Sequence, residues 1–210
     1  MLRAVHRKTA ELLFKKSLNS TQWINHFPNY TELTRKDKFA INWRKYMAST
    51  SESVQGVPNT YLLPEEYSLF KSQSDSSSDK LWIVKPGDKA RGIGIFIIDS
   101  PNKLPKYLTD KYNECKETEQ IPSWSKGSFV ISEYISNPWL INSKKFDLRI
   151  YVLVTKFNPN LNAYIYRDGF ARFCTENYTL NSNEINNTFV HLTNVAMNQL
   201  NVCFCCFILY

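Results

Sequence analysis

The spacing of apolar positions changes character near residue 72. Before it, apolar residues recur at mixed intervals, with breaks at Asn25-His26-Phe27-Pro28 and Val57-Pro58-Asn59-Thr60, which predicts helices and loops. Thr34 to Lys45 reads as a helix: Thr34 can cap, Asp37 stands three residues on, and Phe39, Ile41 and Trp43 supply apolar contacts. Leu62-Leu63-Pro64-Glu65-Glu66 reads as another helix start, with proline in the first turn and acids near the positive end of the dipole. Ser72 to Asp79 holds five serines and predicts a flexible connector.

Beyond the connector the pattern turns to strands. Leu81 to Val84 and Ile93 to Ile98 are short buried strands, joined by the glycine-bearing loop Pro86 to Gly92. Phe129 to Ile135 predicts a third. Asp147 to Val154 alternates with period two, and Leu148, Ile150, Val152 and Val154 share an apolar face. Ala163 to Arg167 and Phe170 to Phe173 flank Asp168-Gly169, a two-residue hairpin signal. There is no internal repeat. The expected class is α+β, with antiparallel-rich sheets and flanking helices.

Charges on that alternating strand change the picture. Lys145, Asp147 and Arg149 point the same way, away from the apolar face. Burying such groups unpaired costs several kcal/mol each, so they either face solvent or line a site. Lys85 closes the first strand, just ahead of a loop with Gly87, Gly92 and Gly94. Close-approaching amides and an ammonium there suit polyphosphate, although the loop is neither a P-loop nor a dinucleotide fingerprint. Arg172 follows the expected hairpin turn and can return toward the long strand, or simply be solvated. In Val190-His191-Leu192-Thr193-Asn194, the small polar residues can donate to phosphate, or Thr193 or Asn194 can cap a helix. His191 has no second histidine or cysteine nearby and reads as a core residue rather than a metal ligand.

Composition adds limits. The 210 residues are 43% hydrophobic, 21% charged and 14% aromatic, ordinary for a globular chain and against disorder. Net charge is +7, which favours an acidic partner or is simply a solvated surface. No RRM-type basic aromatic motif points to nucleic acid. The five cysteines, Cys115, Cys174, Cys203, Cys205 and Cys206, show neither zinc spacing nor a disulfide framework, and predict a reducing, intracellular setting. The sequons at Asn19, Asn29, Asn177 and Asn186 are common by chance in an Asn-rich chain. The basic N-terminus lacks the apolar core of a signal peptide, though a weak amphipathic presequence remains an alternative. No apolar run reaches membrane-spanning length, so no membrane partner is expected.

Taken in order, the motifs resemble the tubulin-tyrosine-ligase-like family over about residues 22 to 199. They are Asn25-His26-Phe27-Pro28, Leu33 to Asp37, Trp82 to Pro86, Arg91 to Ile95, Glu133-Tyr134-Ile135 with Asn137-Pro138, Lys145 to Val154, Tyr166 to Arg172 and His191 to Asn194. Each piece is weak alone, but the ordered set is specific. Phe129 to Ser132, Phe173 to Thr175 and Phe189 to Ala196 are most like tubulin polyglutamylases.

The resemblance implies an ATP-grasp fold, incomplete here. Its parts would be an N-terminal segment (1–71), the connector (72–79), a central lobe (80–135), a partial C-terminal lobe (136–201) and an aberrant apolar tail (202–210). It implies ATP with Mg2+, a tubulin-tail carboxylate activated as an acyl phosphate, and an isopeptide bond to free glutamate. By resemblance, Lys85 meets ATP phosphates, and Arg91 and Gly92 form the loop over them, with Arg91 also at the protein substrate. Ser132, Glu133, Tyr134 and Ile135 form the adenine hinge. Lys145 and Asp147 hold ribose and phosphate, and Thr193 and Asn194 complete the nucleotide site. Arg149 sits near the transferred phosphate, and Arg172 takes the glutamate carboxylate.

The family's magnesium ligands, an acid and a Glu-x-Asn motif, are expected beyond the point where the family pattern stops. On that basis the chain as written is expected to have little ligase activity. Glycine or tyrosine ligation, or a non-catalytic microtubule-binding role, are the alternatives. The expected setting is cytoplasm and cytoskeleton, with cilium or flagellum basal body and axoneme as possible sites.

Overall fold

The computed structural model describes residues 12–13, 15, 24–51, 54–74, 80–104, 129–199, 201 and 207–209. The expected N-terminal amphipathic segment, Asn19, most of the connector, four of the cysteines and most of the apolar tail lie outside the described residues. The chain forms two compact units, Met1–Gly56 and Val57–Tyr210.

The first unit carries α1 (Thr31–Thr34) and α2 (Lys36–Ser49). The single helix expected from Thr34 is therefore two, broken at Arg35, whose extended backbone is the N-cap of α2. Thr34 does not cap. Its hydroxyl donates back to the Tyr30 carbonyl, four residues earlier, which competes with a capping role. Asp37 supports the start instead, accepting from the Lys38 amide at 2.8 Å and from the Arg35 guanidinium.

The second unit opens with β1 (Thr60–Leu63), not with the helix start expected there. Leu63-Pro64 is a cis peptide, and the helix, α3 (Tyr67–Ser74), begins three residues after the proline. Glu66 folds its carboxylate onto the Leu62 amide at 2.7 Å. The expected connector is also shorter, because α3 runs through Ser72 to Ser74. Ser72 and Ser74 donate to the carbonyls of Leu69 and Phe70 and so sit within the helix instead of unwinding it.

Strands β2 (Trp82–Pro86), β3 (Phe96–Ile98) and β4 (Phe129–Glu133) complete an antiparallel sheet in the order β1-β4-β2-β3. Both faces are covered, which explains the unbroken apolar run Leu81 to Val84. On one face Trp82 and Val84 pack with Tyr61, Leu63, Phe70 and Ile131. On the other, Ile83 and Ile97 meet Tyr134 and Leu192. Phe70 is fully buried and edge-on to Trp82 at 5.0 Å between ring centroids. Phe70→Ala is expected to lower unfolding stability by about 3–5 kcal/mol, read from the urea midpoint.

The second sheet contains β5 (Leu140–Ile141), β6 (Lys144–Arg149), β9 (Gly169–Phe173) and β10 (Phe207–Leu209), in the order β10-β9-β6-β5. A separate ribbon pairs β7 (Val152–Lys156) with β8 (Asn162–Ile165). Two expectations change here. The strand Asp147 to Val154 is interrupted at Ile150 and Tyr151, and its apolar face is open: Leu148, Ile150 and Val152 are 54%, 56% and 57% exposed. Asp168-Gly169 is no hairpin turn either, since β8 pairs with β7 and β9 with β6.

The β6–β9 and β7–β8 ladders follow one another along the same two chain segments, separated by an irregularity. Residues 166–169 stand opposite only 150–151, between the pairs Arg149↔Phe170 and Val152↔Ile165. Gly169 is needed for close approach, because a Cβ there would lie 2.5 Å from the Arg149 carbonyl oxygen. The two-residue hairpin turn is elsewhere, at Asn142-Ser143 between β5 and β6. Both residues have positive φ (50° and 61°), as a type I′ turn requires. Two short helices, α4 (Thr188–His191) and α5 (Val195–Asn198), close the described core. Among the described residues no helix is long and apolar enough to cross a membrane.

Candidate nucleotide site

Lys85 lies two residues beyond Ile83 on β2, so it points to the face that carries Tyr134 and Leu192. Lys145 reaches the same place from β6. Its ammonium donates to the Tyr134 hydroxyl at 2.9 Å and to the His191 carbonyl at 3.0 Å, and lies 4.4 Å from the Tyr134 ring centre. Burial pulls the Lys145 pKa down to about 8. Repulsion from Lys85 adds to this, while Cys174 and Asp147 oppose it. Lys85 thus lies near enough to disfavour the charge on the buried Lys145, a repulsion that an anion would relieve.

The β6–β9 register sets the next pair. Asp147 stands opposite Arg172, and the carboxylate accepts from the guanidinium through two bonds, Nε to Oδ1 at 2.7 Å and Nη2 to Oδ2. This pair raises the Arg172 pKa. Arg172 is therefore held by its own strand partner, and only part of its fork faces outward. Arg149 extends the same side of β6, with its guanidinium 5.6 Å from the Tyr151 ring centre. Lys85, Lys145, Asp147 and Arg172 form one continuous charged series, with Arg149 at its end.

The glycine loop packs against the turn at Asn194. Arg91 and Gly92 both have positive φ, 64° and 86°. A Cβ on Gly92 would stand 2.7 Å from the Met197 side chain and 3.1 Å from the Asn194 amide oxygen, so the loop lies directly against Thr193-Asn194. Asn194 is the N-cap residue of α5, yet its side chain makes no cap bond. Gly92→Ala combines an unfavourable φ with overpacking. It is expected to cost about 2 kcal/mol of stability and to displace Arg91, measurable by urea unfolding and by nucleotide titration.

The expected hinge is partly built into the sheet. Ser132 is buried and shares a 2.9 Å hydrogen bond with Thr60, and the amides of Glu133 and Tyr134 donate to the carbonyls of Asn59 and Leu81. Glu133 also pairs with Lys80 at 3.0 Å. Ile135, just beyond, is exposed and presents its side chain at the sheet end.

Several residues were invisible as site components in the sequence. His191 is 2% exposed, with Nδ1 2.9 Å from the Tyr134 hydroxyl and Nε2 3.0 Å from the Glu184 carbonyl. Burial lowers its pKa. Burial, with Tyr178 alongside, drives that of Tyr134 upward. The Cys174 thiol is buried and pushed up to about 12. Asn198 is fully buried. It accepts from the Thr175 amide and donates to the carbonyls of Leu192 and Asn194, which fixes the Thr193-Asn194 turn. Tyr134 was already expected at the hinge, but no spacing rule singles out His191, Cys174 or Asn198. Among the described residues no group of three His, Cys, Asp or Glu gathers where a metal ion would sit.

The family model described as "Tubulin-tyrosine ligase family" matches residues 14–203. The chain is 39% identical over 197 residues to a probable alpha-tubulin polyglutamylase, Ttll1, of Tetrahymena thermophila, covering 87% of this chain and 46% of that protein. It is 40% identical over 191 residues to a probable tubulin polyglutamylase, ttll-9, of Caenorhabditis elegans (87% and 43%). It is 38% identical over 185 residues to the tubulin polyglutamylase TTLL5 of Mus musculus (88% and 12%). The chain spans less than half the length of these relatives. With the family model matching nearly its whole length, the chain belongs to the tubulin-tyrosine ligase family.

Proposed function

We propose that this chain carries the nucleotide-binding part of an ATP-dependent ligase with an ATP-grasp fold, which adds glutamate to side-chain carboxylates in acidic tubulin tails. The observation that carries the reading is the convergence of Lys85 and Lys145 from separate strands beside the Asp147–Arg172 pair. The similarity to proteins named as tubulin polyglutamylases supports the choice of substrate. The cytoskeleton, including cilia or flagella, is the corresponding setting.

The residues fit ATP. Lys85 and Lys145 offer phosphate contacts, and the lack of a side chain at Gly92 lets its loop pack against Asn194 and Met197 beside them. ATP supplies the phosphoryl group that turns a carboxylate into an acyl phosphate, which the amine of glutamate opens with loss of phosphate. Such transfer rests on positioning and charge neutralisation, so cations are what the chain must provide. Lys85 and Lys145 neutralise phosphate charge. Arg149 stands by the transferred group, and Asp147 orients the Arg172 guanidinium, whose outward edge binds the glutamate carboxylate. Ser132 to Ile135 border the adenine, Thr193 and Asn194 close the site against Gly92, and Arg91 faces the protein substrate. Among the described residues no group of three His, Cys, Asp or Glu offers magnesium a ligand set.

Calorimetric titration of the chain with ATP, then with glutamate, glycine or tyrosine in its presence, tests the reading. ATP should bind, Lys85→Ala should weaken it about 10- to 100-fold, and glutamate alone should bind next in a manner lost in Arg172→Ala. Absence of ATP binding, or a preference for glycine or tyrosine, would overturn it.

A further inference from the structure

A buried hydrogen-bond relay stands behind the Lys145 ammonium, and its direction follows from the one group in it that can only accept. The Glu184 carbonyl can only accept, so the His191 Nε2 at 3.0 Å must carry a proton. A neutral imidazole then leaves Nδ1 as an acceptor, and the Tyr134 hydroxyl at 2.9 Å must donate to it. The Tyr134 oxygen keeps its lone pairs for Lys145, whose ammonium donates to it at 2.9 Å. The links come from three elements: the end of β4, strand β6 and helix α4. His191 is also wedged by the rings of Tyr134 and Tyr178, each roughly perpendicular to it at 5.7 and 5.8 Å.

We propose that Tyr134 and His191 are positioning residues, which hold the Lys145 ammonium in place for the phosphates of a bound nucleotide. The proposal rests on the reading of Lys145 as a phosphate contact and names what aims it. Two of the three ammonium donors are directed at Tyr134 and at the His191 carbonyl, which leaves the third for a ligand. A His191 that gained a proton would present Nδ1 as a donor and turn the Tyr134 hydroxyl toward Lys145, spoiling the contact. The buried imidazole, with its lowered pKa, resists this at neutral pH. The other titratable groups that face the relay are Lys85 from β2, Asp147 on β6 and Cys174 after β9 beside Lys145, Tyr178 beside Tyr134 and His191, and Glu184 beside His191.

Two measurements on the whole chain test the proposal. The first follows the titration of Lys145 by heteronuclear NMR without nucleotide, in the wild type, Tyr134→Phe and His191→Gln. Tyr134→Phe keeps the ring and removes only the oxygen that accepts from the ammonium. The Lys145 midpoint, at about 8 in the wild type, should fall in Tyr134→Phe. His191→Gln should shift it too, and serves as the second variant should Tyr134→Phe not fold. An unchanged midpoint in both would overturn the proposal. The second is a double-mutant cycle on ATP affinity. Tyr134→Phe should weaken binding about tenfold in the wild type and less than about twofold in Lys145→Met. Equal losses in both backgrounds would mean a merely structural role and would also overturn it. If the midpoint moves but Lys145→Met leaves ATP affinity intact, the relay stands as a holder of Lys145 and the nucleotide reading fails instead.

Discussion

Lys145→Met is expected to weaken ATP binding about 10- to 100-fold while changing stability at pH 7 by no more than about 1 kcal/mol. Most buried residues with two hydrogen bonds do not behave this way. The difference lies in what the ammonium costs the fold. Burial and Lys85 bring its pKa to about 8 from 10.5, so below pH 8 the folded state carries a penalty on the order of 3 kcal/mol. Methionine removes that penalty, and the loss of the bond to the His191 carbonyl offsets the gain.

The pH dependence has a definite sign. Between about pH 8 and 10.5 the unfolded chain keeps the lysine proton and the folded chain has lost it, so the contribution of Lys145 to stability rises with pH. Urea unfolding across this window should show the rise in the wild type and its absence in Lys145→Met. ATP phosphates favour the charged lysine, so binding near pH 9 should take up a proton, visible as a buffer-dependent heat. A wild type without the rise would remove the electrostatic basis of the expectation.

Asn198→Ala is expected to cost about 3 kcal/mol or more, comparable to the loss of a large core side chain. Its amide serves three backbone groups, the Thr175 amide and the carbonyls of Leu192 and Asn194. Alanine leaves the Thr175 amide and the Leu192 carbonyl without that partner in a region water reaches poorly, at roughly 1–3 kcal/mol for each such group, while the Asn194 carbonyl keeps the Met197 and Asn198 amides. ATP affinity should fall as well, since the same amide holds the turn that Gly92 packs against. A urea midpoint displaced by less than the equivalent of about 1 kcal/mol would show that the neighbouring chain repairs itself.

How much of this was legible depended on whether a feature was written in consecutive residues. The strand ending at Lys85 was readable, because burial on both faces gives an unbroken apolar run. The alternating charges Lys145, Asp147 and Arg149 were readable because their period of two is written along one stretch of chain. The break at Ile150-Tyr151 was not, since alternation continues through it and only the two-against-four mismatch across the ribbon marks it. Asp168-Gly169 carries strong turn chemistry, yet the glycine serves a close backbone approach to Arg149, while Asn142-Ser143 makes the tight turn with a weaker signature. His191 read as a core residue and is buried. Its part in the relay depends on Tyr134 and Glu184, at distances in sequence that no local pattern registers. Asn198 is one asparagine among many until its three bonds are seen.

The unequal count across the ribbon also insulates. A slip in the pairing of β7 with β8 would ordinarily travel down both strands and turn every side chain to the opposite face. Here the slack in residues 166–169 absorbs such an error before it reaches β6 and β9. The register of the outer arm is therefore decoupled from the pair that sets Arg172 across from Asp147.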